Sequence, residues 1–176
     1  PDRRRAARLG AVGSTRAGRV RTLHALITVR PNHASRTVLR PALMCAAHQL
    51  LDDEPKVLID PVAVGFVPEV SAAAILARAD ELRAPRALLL RSLMVLRSRC
   101  AEDRLLQALQ RGTRQVVMRG AGLDTYAWRQ PATARQSTLF FVDHPATLAA
   151  TRAALAAQER AVPGNLRFVP CDLDAQ

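Results

Sequence analysis

The chain has 176 residues, 49% of them hydrophobic, which is enough for one folded domain with its own core. No apolar run approaches the roughly 20 residues that a membrane-spanning helix requires. The formal charge of +11 is uneven: residues 1–40 hold ten arginines against one acid, Asp2, while the remainder is nearly neutral, so the excess forms an arm and not a basic body.

Residues 1–34 are expected to form this basic arm without fixed structure. It lacks the aromatic side chains that stack on unpaired bases, and it lacks the apolar segment and cleavage site of a signal peptide. No specific nucleic acid and no membrane partner are expected. From Ser35 the periodicity predicts a helix to about Leu51, with Val38, Leu39, Ala42, Leu43, Ala46 and Leu50 on one face and Ser35 or Thr37 as cap. Pro41 either kinks this helix or marks its first turn. Asp52 to Pro55 ends it, and Leu58-Ile59-Asp60-Pro61 is a short apolar link into a structural turn. Ser71 is placed to cap a helix through Leu82, and Pro85 forces a break. A third helix over about 86–96 leads into a fourth that closes at Gly112. Residues 35–113 are therefore expected to be a mostly helical region.

The pattern then changes. Residues 114–118 (RQVVM), 137–142 (STLFFV) and 166–170 (LRFVP) read as strands. Helices are expected from about 124 to 130 and from Pro145 to Ala161. Strand, helix, strand, helix, strand implies two crossovers and a parallel sheet, so 114–176 reads as the first half of an α/β domain of Rossmann-like class. Cys45, Cys100 and Cys171 stand far apart, and the four histidines have no ligand spacing. A disulfide framework and a zinc site are not suggested, and a reducing, cytoplasmic setting is expected.

Open parallel sheets bind ligands beyond the carboxyl ends of their strands. The first end carries Gly120, Gly122 and Asp124, the second Asp143, and the third Asp172. A dinucleotide loop needs a third glycine where Thr125 stands, and Asp124 would repel a pyrophosphate at the following helix start. A ligand with a nucleoside and a cationic group but no phosphate fits better, and S-adenosyl-L-methionine is such a ligand. Its ribose offers two hydroxyls to a carboxylate on the second strand, and its adenine amino group can donate to an acid on the third. Each residue also has a plainer reading: the glycines as a turn, Asp143 as a helix cap, Asp172 as a turn acid, Asp124 as a helix-start residue, Arg97 as a solvated charge. His144 and Trp128 read as packing or loop residues.

The run GAGLDTYAWR, followed by FFVDHPAT and LRFVPCDL, resembles the leucine carboxyl methyltransferase-like family, in its bacterial branch of S-adenosyl-L-methionine-dependent O-methyltransferases. The upstream pieces SRTVLRPALMCAAHQLLDDEP, LIDPVA and RSRCAEDRLLQAL agree, so the resemblance covers about Ser35 to Leu173. It implies a class I methyltransferase sheet and a methyl transfer to an oxygen of a small molecule or carboxylate. It also implies that Gly120 and Gly122 form the loop under the methionine part, Asp143 binds the ribose, Asp172 and Leu173 contact adenine, and Arg97 holds the cofactor carboxylate. Asp124 is placed with them as a neighbour of the cationic end. No residue is identified as a catalytic base. The sequence departs from the family at Arg119, usually apolar, at Phe141, usually glutamate, and at Cys100, more often aromatic. Because the family continues beyond three strands, the chain is expected to be a partial product with a sheet edge and apolar faces uncovered. The competing readings are a nicotinamide-dependent oxidoreductase, disfavoured by Thr125 and Asp124, and a non-catalytic fragment with a nucleic-acid-binding arm.

Overall fold

The computed structural model describes residues 36–68 and 70–173, so the arm over 1–34 and the Ser35 cap lie outside the described residues. The chain enters on α1 (Arg36–Leu51), which contains Pro41. Four helices follow: α2 (Ala63–Phe66), α3 (Ala72–Leu76), α4 (Ala79–Arg83) and α5 (Pro85–Gln110). Ser71 caps α3, its Oγ accepting from the Ala74 N–H at 3.1 Å. The helix expected through Leu82 is instead two short ones, because the Arg78 N–H tightens onto the Ile75 carbonyl three residues back at 3.1 Å and Arg78 leaves helical geometry at φ −116° and ψ 24°. The two helices expected between 86 and 112 are one 26-residue helix, α5. Pro85 sits in its first turn, where the missing N–H costs nothing, and no proline or glycine interrupts it before Gly112. Gly112 ends it with φ +97°, a left-handed conformation suited to glycine.

The remaining elements are β1 (Gln115–Arg119), α6 (Tyr126–Arg129), α7 (Pro131–Ala134), β2 (Thr138–Asp143), α8 (Pro145–Ala157) and β3 (Leu166–Pro170). The helix expected over 124–130 is thus α6 followed by a separate turn, α7. Helix α8 stops four residues before the expected Ala161, where Glu159 turns left-handed at φ 52°. The strands form one sheet in the order β1-β2-β3, all parallel. Register places Met118 beside Phe141 and Phe141 beside Phe168, so these three side chains share a face. This is the parallel α/β sheet that the strand–helix alternation predicts, and the methyltransferase-like architecture that the resemblance implies.

Two apolar clusters hold the elements together. In the first, Leu43, Met44, Ala46 and Ala47 of α1 pack on Phe66, Ile75 and Leu82, and they are joined by Leu123 and Leu155 from the α/β part. In the second, Leu139, Phe141 and Leu166 of the sheet are covered by Tyr126, Ala127, Ala134 and Leu148. Trp128 touches both clusters, with its ring between Phe66 and Phe141. Helices α6, α7 and α8 all lie on this face of the sheet, as expected when each strand pairs with the next and the connections never reverse.

The opposite face is open among the described residues: Gln115, Val117 and Arg119 of β1 are exposed, and Val117 is 65% exposed. Arg119 therefore does not end a buried strand. Its side chain projects from the open face, so it pays no desolvation penalty and needs no buried partner.

A polar anchor ties the end of α1 to α5. Arg91 is 1% exposed. Its Nε lies 3.0 and 2.9 Å from the Asp52 carboxylate oxygens, and its Nη1 donates to the Leu82 carbonyl at 2.6 Å. His48 Nδ1 sits 2.7 Å from Asp52 Oδ2, while its Nε2 faces the Leu58 N–H, which assigns the Nδ1 proton to the Asp52 bond. Burial raises the Asp52 carboxyl, but hydrogen bonds from Arg91 and His48 outweigh it and hold it below its usual range. No described helix is long and apolar enough to cross a membrane.

Candidate functional site

The carboxyl end of β1 runs into the loop Gly120-Ala121-Gly122. Gly120 has φ +67° and Gly122 φ +59°, a region that costs other residues roughly 1–2 kcal/mol. A Cβ on Gly122 would also stand 3.3 Å from Val38 Cγ1 of α1. The loop is fastened to the next strand through Asp143, which is 7% exposed. Its Oδ2 accepts the Gly122 N–H at 2.7 Å, and its Oδ1 accepts the His144 N–H at 2.7 Å. Thr151 of α8 donates from Oγ1 to the Gly122 carbonyl at 2.9 Å. The Asp143 carboxylate thus holds two strand ends in register and still has lone pairs for a ligand. It does not cap α8: that task falls to His144, whose Nδ1 accepts the Ala146 N–H at 3.2 Å.

A buried polar assembly lies behind the loop. Arg129 of α6 has a side chain only 4% exposed. It makes a forked contact with Glu102 of α5, with Nη1 to Oε2 at 2.7 Å, and its Nε lies 3.3 Å from Asp60 Oδ2. Thr125 donates from Oγ1 to the same Asp60 oxygen at 2.5 Å. Burial tends to discharge Arg129, but the bonds and charges of Glu102, with Asp60 and Asp124, outweigh it and hold the guanidinium charged. Asp124 accepts the Tyr126 N–H at 2.8 Å. Burial pushes its carboxyl up to about 6; the Tyr126 N–H and Arg129 oppose the rise, and Glu102 and Asp60 add to it. Burial, followed by Asp60 and Asp124, pushes the Cys45 thiol up to about 11, which keeps it protonated.

These groups border one cavity of about 790 Å³ between α1, α5 and the strand ends, a volume in the range of small-molecule sites. Every residue singled out from the sequence lines it: Arg97, Gly120, Gly122, Asp124, Asp143, Asp172 and Leu173. Cys45, Asp60, Thr125, Arg129 and His144 also line it. Four carboxylates face two guanidiniums, one of which is already paired with Glu102. The surplus is negative, and it favours a ligand with a cationic part over a phosphate. The glycine loop offers close backbone approach, and Asp143 offers oxygens to a vicinal diol. Among the described residues, no cluster of His, Cys, Asp and Glu is suited to a metal ion.

Asp60 was legible only as a turn. Its Oδ1 does accept the Val62 and Ala63 N–H groups at 3.2 and 3.0 Å, as a turn residue would. Its Oδ2 serves Thr125 and Arg129. An acid closing an apolar run was the available signal, but its partner stands 65 residues away. Arg129 and Glu102 each lie within a helix, 27 residues apart in sequence, and no local pattern marks them as partners.

The family model for leucine carboxyl methyltransferase matches residues 38–176. A protein of Bacillus subtilis named "Putative S-adenosyl-L-methionine-dependent methyltransferase" is 43% identical over 61 residues, 35% of this chain and 20% of that protein. A Parafrankia protein of the same description is 41% identical over 80 residues, covering 46% and 26% of the two chains. One from Mycobacterium tuberculosis is 41% identical over 83 residues, with the same coverage of 46% and 26%. The matches thus span between 20% and 26% of these relatives' own length.

Proposed function

The chain belongs to the leucine carboxyl methyltransferase family, and on that premise we propose that it binds S-adenosyl-L-methionine in the cavity at the strand ends and serves methyl transfer to an oxygen of a small molecule or carboxylate. One observation carries the reading: Asp143 tethers the glycine loop while lining the cavity with a carboxylate. That arrangement suits a ribose diol lying across the ends of β1 and β2. Asp172 and Leu173 border the adenine end, and Gly120 and Gly122 leave room for the methionine chain. Arg97 provides a fork for its carboxylate, and Asp124 provides a counter-charge for its ammonium. When bound, the cofactor supplies an activated methyl group on a sulfonium.

The chain's own contribution is positional. It holds the donor by its three polar parts and surrounds its cationic end with carboxylates that favour positive charge. No described side chain is assigned as a base. The same geometry disfavours a nicotinamide dinucleotide, because Asp124 lies where its phosphates would come and Thr125 stands where the dinucleotide loop needs a third glycine.

Calorimetric titration of the chain with S-adenosyl-L-methionine and S-adenosylhomocysteine tests the reading. Binding is expected, with a loss of roughly 10- to 100-fold in Asp143→Ala, the worth of one hydrogen bond to a charged acceptor. Absence of binding, or equal binding of NADH, would overturn it.

A further inference from the structure

The site described above leaves the buried Asp60–Thr125–Arg129–Glu102 assembly without a task. Its members come from three places: Asp60 from the turn before α2, Glu102 from α5, and Thr125 and Arg129 from the segment after β1. Asp60 is 2% exposed, and its two oxygens have separate duties. Oδ1 is fixed by the N–H groups of Val62 and Ala63, which seats the carboxylate on the start of α2. Oδ2, thereby held in place, receives the Thr125 hydroxyl and faces Arg129 Nε. Thr125 adjoins Asp124, and Asp124 bonds the N–H of the residue after Thr125. Moving Asp60 would therefore move the backbone that presents Asp124.

We infer that Asp60 is a positioning residue of the ligand site: seated on α2, it holds Thr125 and Arg129 so that Asp124 faces the cavity as the counter-charge for the ligand's cationic end. This inference rests on the methyl-donor reading above and names the part of the helical region on which that site depends. Asp60 also acts by charge. The groups acting on Asp124 are Tyr126 beside it, Arg129 on α6, Glu102 on α5 and Asp60 before α2, and Arg97 of α5 and Cys45 of α1 line the same cavity. Asp60 and Glu102 work against ionisation of Asp124, and Arg129 works for it. A bound cation favours the ionised carboxylate, so cation affinity is present above about pH 6 and falls as pH drops through that value.

The experiment uses two probes on the full chain. S-adenosylhomocysteine carries the ammonium; 5′-methylthioadenosine carries the nucleoside alone. Affinities are measured by calorimetry from pH 5 to 8 for the unaltered chain and for Asp60→Asn, Thr125→Val and Thr125→Ser. Thr125→Val removes the hydroxyl without changing charge and is expected to weaken S-adenosylhomocysteine roughly tenfold, leaving 5′-methylthioadenosine within about twofold. Thr125→Ser is expected to restore binding. Asp60→Asn is expected to show the same selective loss and to move the acid midpoint for S-adenosylhomocysteine downward, because a like charge beside Asp124 is gone.

Equal loss of both probes in the variants, or no loss of either, would overturn the positioning role while leaving the nucleoside site intact. Binding of neither probe to the unaltered chain would overturn the methyl-donor reading itself and this inference with it. If Asp60→Asn lacks native circular dichroism, the two Thr125 variants decide the question alone.

Discussion

Replacing Asp143 by asparagine exchanges one carboxylate oxygen for an NH2 group and tests the proposed linkage between the glycine loop and the second strand. In the native chain each carboxylate oxygen accepts one backbone N–H at 2.7 Å, from Gly122 and from His144. An asparagine has one acceptor and one donor at those positions. Whichever way the amide turns, its NH2 faces a backbone N–H. One hydrogen bond is lost and leaves a buried donor unsatisfied, which costs about 1–3 kcal/mol, and the surviving bond loses its charge assistance, about another 1 kcal/mol. The expected destabilisation is about 2–4 kcal/mol. Asp143→Ala opens space for water at both donors and is expected to cost no more than the isosteric change. Urea unfolding followed by Trp128 fluorescence suits the measurement, since Trp128 is the single tryptophan and packs against Phe141 on the same strand as Asp143. An asparagine variant within about 0.5 kcal/mol of the parent, or markedly more stable than the alanine variant, would refute the double-acceptor argument.

Arg91→Met removes the forked partner of Asp52 and orphans the Leu82 carbonyl. Breaking a fully buried pair costs about 3–5 kcal/mol; with Asp52 26% exposed, about 2–3 kcal/mol is expected from denaturant unfolding at pH 7. Because the folded Asp52 carboxyl is held below its usual value, this stabilisation is complete above about pH 4 and is lost as pH falls through the folded value. The gap between parent and variant should therefore narrow in acid, and a gap that widens would contradict the assignment. Arg119→Leu should leave the unfolding midpoint and S-adenosylhomocysteine affinity unchanged within error, since the side chain is exposed on the open face of the sheet; a clear loss of affinity would show that Arg119 reaches the site.

The strands and the helices around them were legible because each segment carries its own signal. Five- and six-residue apolar runs alternate with helical stretches, and Gly120 and Gly122 occupy positions where the chain must turn left-handed. The helical region was less legible in detail. A proline marks the start of α5, but nothing in the sequence marks the gap between α3 and α4, where the backbone leaves helical geometry at Arg78. In the cavity, Asp143 and Asp172 could be found because strand ends are where parallel sheets hold ligands. Asp60 could not, because its meaning lies in an oxygen shared with Thr125 and Arg129.

By itself the sequence determined the order of the strands, the parallel sheet, the glycine loop and the row of acids at successive strand ends. These depend on local periodicity, backbone freedom at glycine and a general rule of sheet geometry. Only the tertiary structure decided which charges are partners. It brought Arg129 between Glu102 and Asp60, put both Asp143 oxygens onto backbone donors, and turned Arg119 out to solvent. Charge pairing falls steeply with distance and depends on how each group is desolvated. It is therefore settled by packing between segments tens of residues apart, which no local pattern in this chain encodes.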